Sequence, residues 1–140
     1  MKSAITICVV SLLLTACRHV EPVTRQLEPE RQSTDEEIRQ HIVGEWTSSE
    51  SDGFGYPKMI VGDDRRLVGV STNGTRVLIG TWEYQGHALR VTPTAARIEA
   101  ARASGFQMNA WDYYPVIYAD AHELVMAPGI SVAGRWRFTR

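Results

Sequence analysis

The side chains able to do chemistry are few and scattered. Four histidines stand at His19, His41, His87 and His122, and two cysteines at Cys8 and Cys17. No pair of them has the spacing that sets two ligands on one metal ion. Asp63-Asp64 places two carboxylates side by side, the raw material of acid–base catalysis, but Arg65-Arg66 follows at once and the run reads as a solvated turn. His122-Glu123 is a dipeptide in a turn and carries no geometry. Gly-x-Ser-x-Gly, phosphate-loop and zinc motifs are absent from the sequence. The expectation is a chain that is not an enzyme and uses no metal or cofactor. A formal net charge of -1 supplies no bulk field toward nucleic acid, so no nucleic-acid partner is expected. What remains is Cys17. Its thiol has four possible uses: a core group, a disulfide with Cys8, a metal ligand, or a nucleophile that takes lipid.

The surroundings of Cys17 choose among them. The chain opens MKSAITICVVSLLLTAC. Lys2 is a positive start, and residues 4–14 are an uncharged apolar run. That run is too short for a bilayer-spanning helix, which needs about 20 residues. It fits the hydrophobic region of a secretory signal, about 7–15 residues. Cys8 would leave with such a signal, which argues against a Cys8–Cys17 disulfide. Leu14-Thr15-Ala16-Cys17 resembles the lipobox of bacterial lipoproteins: an aliphatic residue, two small ones, then cysteine. The resemblance implies cleavage between Ala16 and Cys17, a diacylglyceryl group on the Cys17 thiol, and acylation, commonly palmitate, of the new amine. It therefore implies a membrane partner, reached through lipid on Cys17, and a place in the bacterial cell envelope. Arg18 follows the cysteine where an aspartate would retain the protein at the inner membrane under the enteric-type rule. This implies the outer membrane, facing the periplasm.

The elements that position the remaining residues begin later. Residues 18–33 have two prolines, mixed charge and few large apolar groups, too little hydrophobic surface to offset the entropy of ordering them. The expectation is a tether over 17–33, reaching about 50 Å if extended and nearer 20 Å as a coil. Residues 34–140 are the expected domain, after a signal peptide over 1–16. Thr34 with Glu37 three residues on is a capping box, and Asp35, Glu36 and Glu37 suit a helix N-terminus. Ile38 and Ile42 share one face, so a two-turn helix is expected.

The apolar period then changes to two. Strands are expected from Gly44, over 57–61, 66–72, 76–84 and 88–92, with Asn73-Gly74 as a hairpin signal. The alternation over 76–84 groups Leu78, Gly80, Trp82 and Tyr84. Residues 93–104 are alanine-rich, so a helix is the first expectation and an irregular loop the second. Strands follow over 106–110, 112–119, 123–127 and 132–139, the last with Gly134, Trp136 and Phe138 on one face. The fold class is mainly β. An antiparallel meander of about eight short strands closes into a small barrel, with a short N-terminal helix and one possible inserted helix.

This pattern resembles the lipocalin-like domains of bacterial envelope proteins. The residues concerned are the acidic helix before Gly44-Glu45-Trp46, Gly80-Thr81-Trp82 leading to Ala88-Leu89-Arg90-Val91, and Asp120 to Leu124 before Trp136-Arg137. The resemblance covers residues 36–140. It implies that Trp46 packs beneath Arg135, Arg137 or Arg140 of the last strand and closes the barrel floor, with Arg137 the foremost choice. It also implies a small apolar ligand in the barrel, since eight strands can hold one. The short strands and many aromatic residues leave open the alternative that the barrel is filled and the chain contacts another envelope protein. A hydrolase is a third and weaker reading. Two aromatic stretches are candidate contacts for ligand or partner: Phe54 and Tyr56 in one, Trp111, Tyr113 and Tyr114 in the other. Core packing is the competing use for both.

Overall fold

In a computed structural model, which describes residues 31–48, 54–128 and 134–140, the chain forms a closed barrel of eight antiparallel strands. Cys8, Ala16, Cys17, His19 and most of the expected tether lie outside the described residues.

The capping box forms as expected. The Thr34 hydroxyl accepts from the Glu37 N–H, and the Glu37 carboxylate accepts from the Thr34 N–H at 2.8 Å. Helix α1 (Asp35–His41) buries Ile38, and Ile42 behind it, in the barrel core. The strands are β1 (Gly44–Ser48), β2 (Lys58–Val61), β3 (Arg66–Val70), β4 (Arg76–Gln85), β5 (Ala88–Pro93), β6 (Asp112–Ala119), β7 (Glu123–Met126) and β8 (Trp136–Thr139). Each pairs with the next, and β8 returns to β1 through Thr47↔Thr139 and Ser48↔Phe138. Closure thus gives each described strand a neighbour on both sides, which protects its edges from pairing with another chain. Helix α2 (Ala95–Ala103) is inserted between β5 and β6, with Thr94 as its N-cap.

Chain direction divides the barrel into two ends. The β2–β3, β4–β5 and β6–β7 turns gather at one end with α1. The segments between β1 and β2, β3 and β4, β5 and β6, and β7 and β8 gather at the other. Alternation then fills the interior: Trp46, Met59, Leu67, Leu89, Leu124, Met126 and Phe138 are all 0 % exposed. Burying a large apolar side chain contributes about 1.5–3 kcal/mol.

The structure corrects four expectations. Residues 106–110 form no strand; Phe106 is 74 % exposed. Leu78 does not share a face with Gly80, Trp82 and Tyr84. Leu67 pairs with Gly80 but Val68 pairs with Leu78, so Ile79 is an extra residue, a β-bulge. The bulge reverses the alternation, burying Ile79 and turning Leu78 outward at 42 % exposed. Ser33, placed in the tether by composition, belongs to the domain. It is 8 % exposed, its N–H donates to the Ile117 carbonyl at 3.0 Å, and its hydroxyl donates to the Ala119 carbonyl at 3.1 Å. The fourth concerns Arg137. It lies on the outer face in an ion pair with Glu123 at 2.9 Å, and the arginine over the Trp46 ring is Arg140.

Candidate functional site

The floor of the barrel is built from the helix outward. Trp46 is fully buried and its indole N–H donates to the Ile42 carbonyl at 2.9 Å, which satisfies the one polar atom of the side chain. The Arg140 guanidinium stands 4.1 Å from the Trp46 ring centroid. It also donates to the carbonyls of His41 at 2.6 Å and Val43 at 2.7 Å, at the end of α1 where helix carbonyls lack partners. Gly44 makes this approach possible. A Cβ there would lie 2.6 Å from the guanidinium, and its φ of +150° disfavours other residues. The Gly-x-Trp pattern thus has a physical meaning here: glycine admits the arginine that covers the tryptophan.

A second set of contacts pins α1 to the β4–β5 turn. The Tyr84 hydroxyl donates to Asp35 at 2.5 Å, and His87 Nδ1 lies 3.1 Å from the same carboxylate oxygen. Arg39 stands 4.8 Å from the Tyr84 centroid. Burial, then the Asp35 hydrogen bond, pushes the Tyr84 hydroxyl well above its ordinary range. At the β6–β7 turn the Asp120 carboxylate accepts from the Tyr118 hydroxyl and from the N–H groups of His122 and Glu123. These bonds, Tyr118 foremost, lower its pKa to about 2. Both networks are fully accounted for as structural turns.

The opposite end gathers the candidate contact residues, and it separates them. Phe54 and Tyr114 meet edge to face at 4.6 Å between centroids, and Trp136 joins them at 5.3 and 5.6 Å. The three rings are half-buried and rest on the core. Tyr56 packs beside them over Gly69, where a Cβ would stand 2.3 Å from its ring. Burial, with the Asp112 charge second, pushes the Tyr114 hydroxyl up to about 12. Phe54, Tyr56 and Tyr114 therefore form a plug over the core.

Trp111 and Tyr113 take no part in it. Tyr114 faces inward opposite Leu89, so its neighbour Tyr113 faces outward opposite Arg90. Trp111 and Tyr113 meet at 4.8 Å, 45 % and 38 % exposed. The Arg90 guanidinium stands 5.2 Å from the Trp111 centroid and pairs with Glu83 at 2.6 Å. Its Nε is buried without a hydrogen-bond partner. The result is an outer-wall patch of two aromatics around an arginine with an unused donor.

Among the described residues no group of three or more histidine, cysteine, aspartate or glutamate side chains is placed to hold a metal ion. No described helix is long and apolar enough to cross a membrane. Comparison with protein-family models, curated proteins and solved structures finds no match to this chain.

Proposed function

We propose that this chain is a lipid-anchored cell-envelope protein, held through Cys17, whose barrel is a non-catalytic scaffold for contact with another envelope protein. The observation that carries this reading is the filled interior. Trp46, Met59, Leu67, Leu89, Leu124, Met126 and Phe138, all at zero exposure, pack into the barrel core, and Phe54, Tyr114 and Trp136 close over them. The outer patch then has the composition of a contact surface. Half-exposed tryptophan and tyrosine around an arginine are enriched at protein interfaces.

The anchor reading rests on the sequence of residues 2–17. Two or three acyl chains, each CH₂ contributing about 0.8 kcal/mol, hold a protein on its membrane. The membrane it fits best is the outer membrane, on the periplasmic side. A small apolar ligand inside the barrel is the second reading. The closed eight-stranded architecture favours it, and it requires the three-ring plug to open.

Photo-crosslinking in living cells tests the first reading. A crosslinker replacing Tyr113 is expected to trap one discrete protein partner, lost when Trp111 is changed to Ala. The same crosslinker at Thr81, exposed on β4, is the control. Equal trapping from both positions, or none from Tyr113, contradicts the reading.

A further inference from the structure

Helix α2 and the segment after it enclose an open hollow that neither the barrel nor the outer patch uses. Its volume is about 590 Å³, within the range of small-molecule sites. Ala100 and Ala101 form one side, and Phe106 and Met108 extend the apolar lining. Phe106 is the most exposed large apolar residue among those described, at 74 %. Beside these groups stands one cation, Arg97. Among the described residues it makes no ion pair, and it donates to the Tyr56 hydroxyl at 3.4 Å. Asp112, the carboxylate in the lining, instead accepts from the Asn109 side chain at 2.9 Å. The other cation of α2, Arg102, is held by Glu99 at 2.6 Å.

An unpaired, half-buried guanidinium beside an uncovered apolar surface is complementary to a molecule with an anionic head and an apolar body. We infer that the hollow between α2 and residues 106–109 binds a small apolar carboxylate, its anionic head on Arg97 and its apolar body on Phe106 and Met108. The fork of Arg97 donates to the carboxylate oxygens, a charge-assisted contact stronger than a neutral one. The body removes Phe106 from water. This site lies outside the barrel, and it stands whether or not the chain contacts an envelope protein through Trp111 and Tyr113.

The probe is 3-phenylpropionate, with 3-phenylpropanol as its neutral counterpart. Both are titrated calorimetrically into the full chain held in lipid nanodiscs, with empty nanodiscs subtracted to remove partition into lipid. The carboxylate is expected to bind saturably to one site, at least about tenfold more tightly than the alcohol. Arg97→Gln should abolish that preference, Arg97→Lys should retain part of it, and Ala100→Trp, which fills the hollow from an exposed helix position, should weaken both probes. Absence of saturable carboxylate binding overturns the inference. So does equal affinity for the two probes, or binding unchanged by Arg97→Gln and Ala100→Trp, which would place the carboxylate elsewhere on the protein.

Discussion

Arg140 does three things at one atom group: it stacks on Trp46, caps the end of α1, and fills the space that Gly44 leaves. Removing it exposes the indole face and leaves two carbonyls to water. Arg140→Ala is therefore expected to cost about 1–3 kcal/mol, read from the shift in urea midpoint. Arg137→Ala removes an exposed pair with Glu123 and is expected to stay within about 0.5 kcal/mol. A larger loss at Arg137 than at Arg140 would contradict this account of the floor. The alternation already in the sequence pointed to the right residue. If Trp136 and Phe138 face inward, so does position 140, whereas Arg137 shares the outward face with Thr139. The same parity rule separates Tyr114 from Trp111 and Tyr113. Asp120 gives a pH test at this scale. Its folded pKa is lowered from 3.8 to about 2 by the Tyr118 hydroxyl and the His122 and Glu123 N–H groups. A lowered carboxylate contributes stability that is present above its unfolded value and lost as pH falls through the folded one. The window here runs from about pH 4 down to about 2. Asp120→Asn should lower the urea midpoint at about pH 6, and flatten the fall of that midpoint across the same window. A fall as steep as in the unmodified chain would show that Asp120 is not the group titrating.

At the scale of elements, β4 shows how one residue re-aims a strand. The bulge at Ile79 lets Val77 and Trp82 both face inward although they are five positions apart, an odd step along a period of two. Leu78→Ala should therefore cost less than about 1 kcal/mol, while Ile79→Ala should cost 2–5, roughly the range for deleting a buried branched side chain. Urea unfolding of the two variants decides it, and the reverse order would place the bulge elsewhere. Gly80 is the sequence signal that a bulge was present, since an isolated glycine in a strand marks close backbone approach. A Cβ there would stand 2.1 Å from the Thr92 carbonyl oxygen, so Gly80→Ala is expected to cost about 3 kcal/mol or more in the same assay. The capping box, the hairpin turns and the inserted helix were legible because each is set by local chemistry. Residues 106–110 misled because Phe106 and Met108 alternate like a strand. They pair with none because β5 and β6 already pair with each other. Ser33 was misplaced for a similar reason. Nothing local marks a serine that will bond to Ile117 and Ala119, more than eighty positions away.

At the scale of the molecule, eight short strands and four tryptophans led to a closed barrel, and the closed barrel is there. Whether such a barrel is a container or a scaffold depends on side-chain volume inside it, which pattern alone does not give. Here Trp46, Met59, Leu67 and Phe138 are fully buried, and Phe54, Tyr114 and Trp136 pack against the core. The described domain begins at the α1 end, beside β6, where Arg31 lies over the Tyr118 ring. Changing Cys17 to Ser should remove incorporation of labelled palmitate in a bacterial host, and incorporation that persists would reject Cys17 as the anchor. The filled interior is the central claim, and native mass spectrometry of the protein purified without denaturant tests it most directly. Spectra are taken before and after solvent extraction, for the unmodified chain and for Arg97→Gln. The expected result is the mass of the polypeptide with its covalent lipid, with any companion that extraction removes absent from Arg97→Gln. An extractable apolar species bound one to one, and kept by Arg97→Gln, would place a ligand inside the barrel and contradict it.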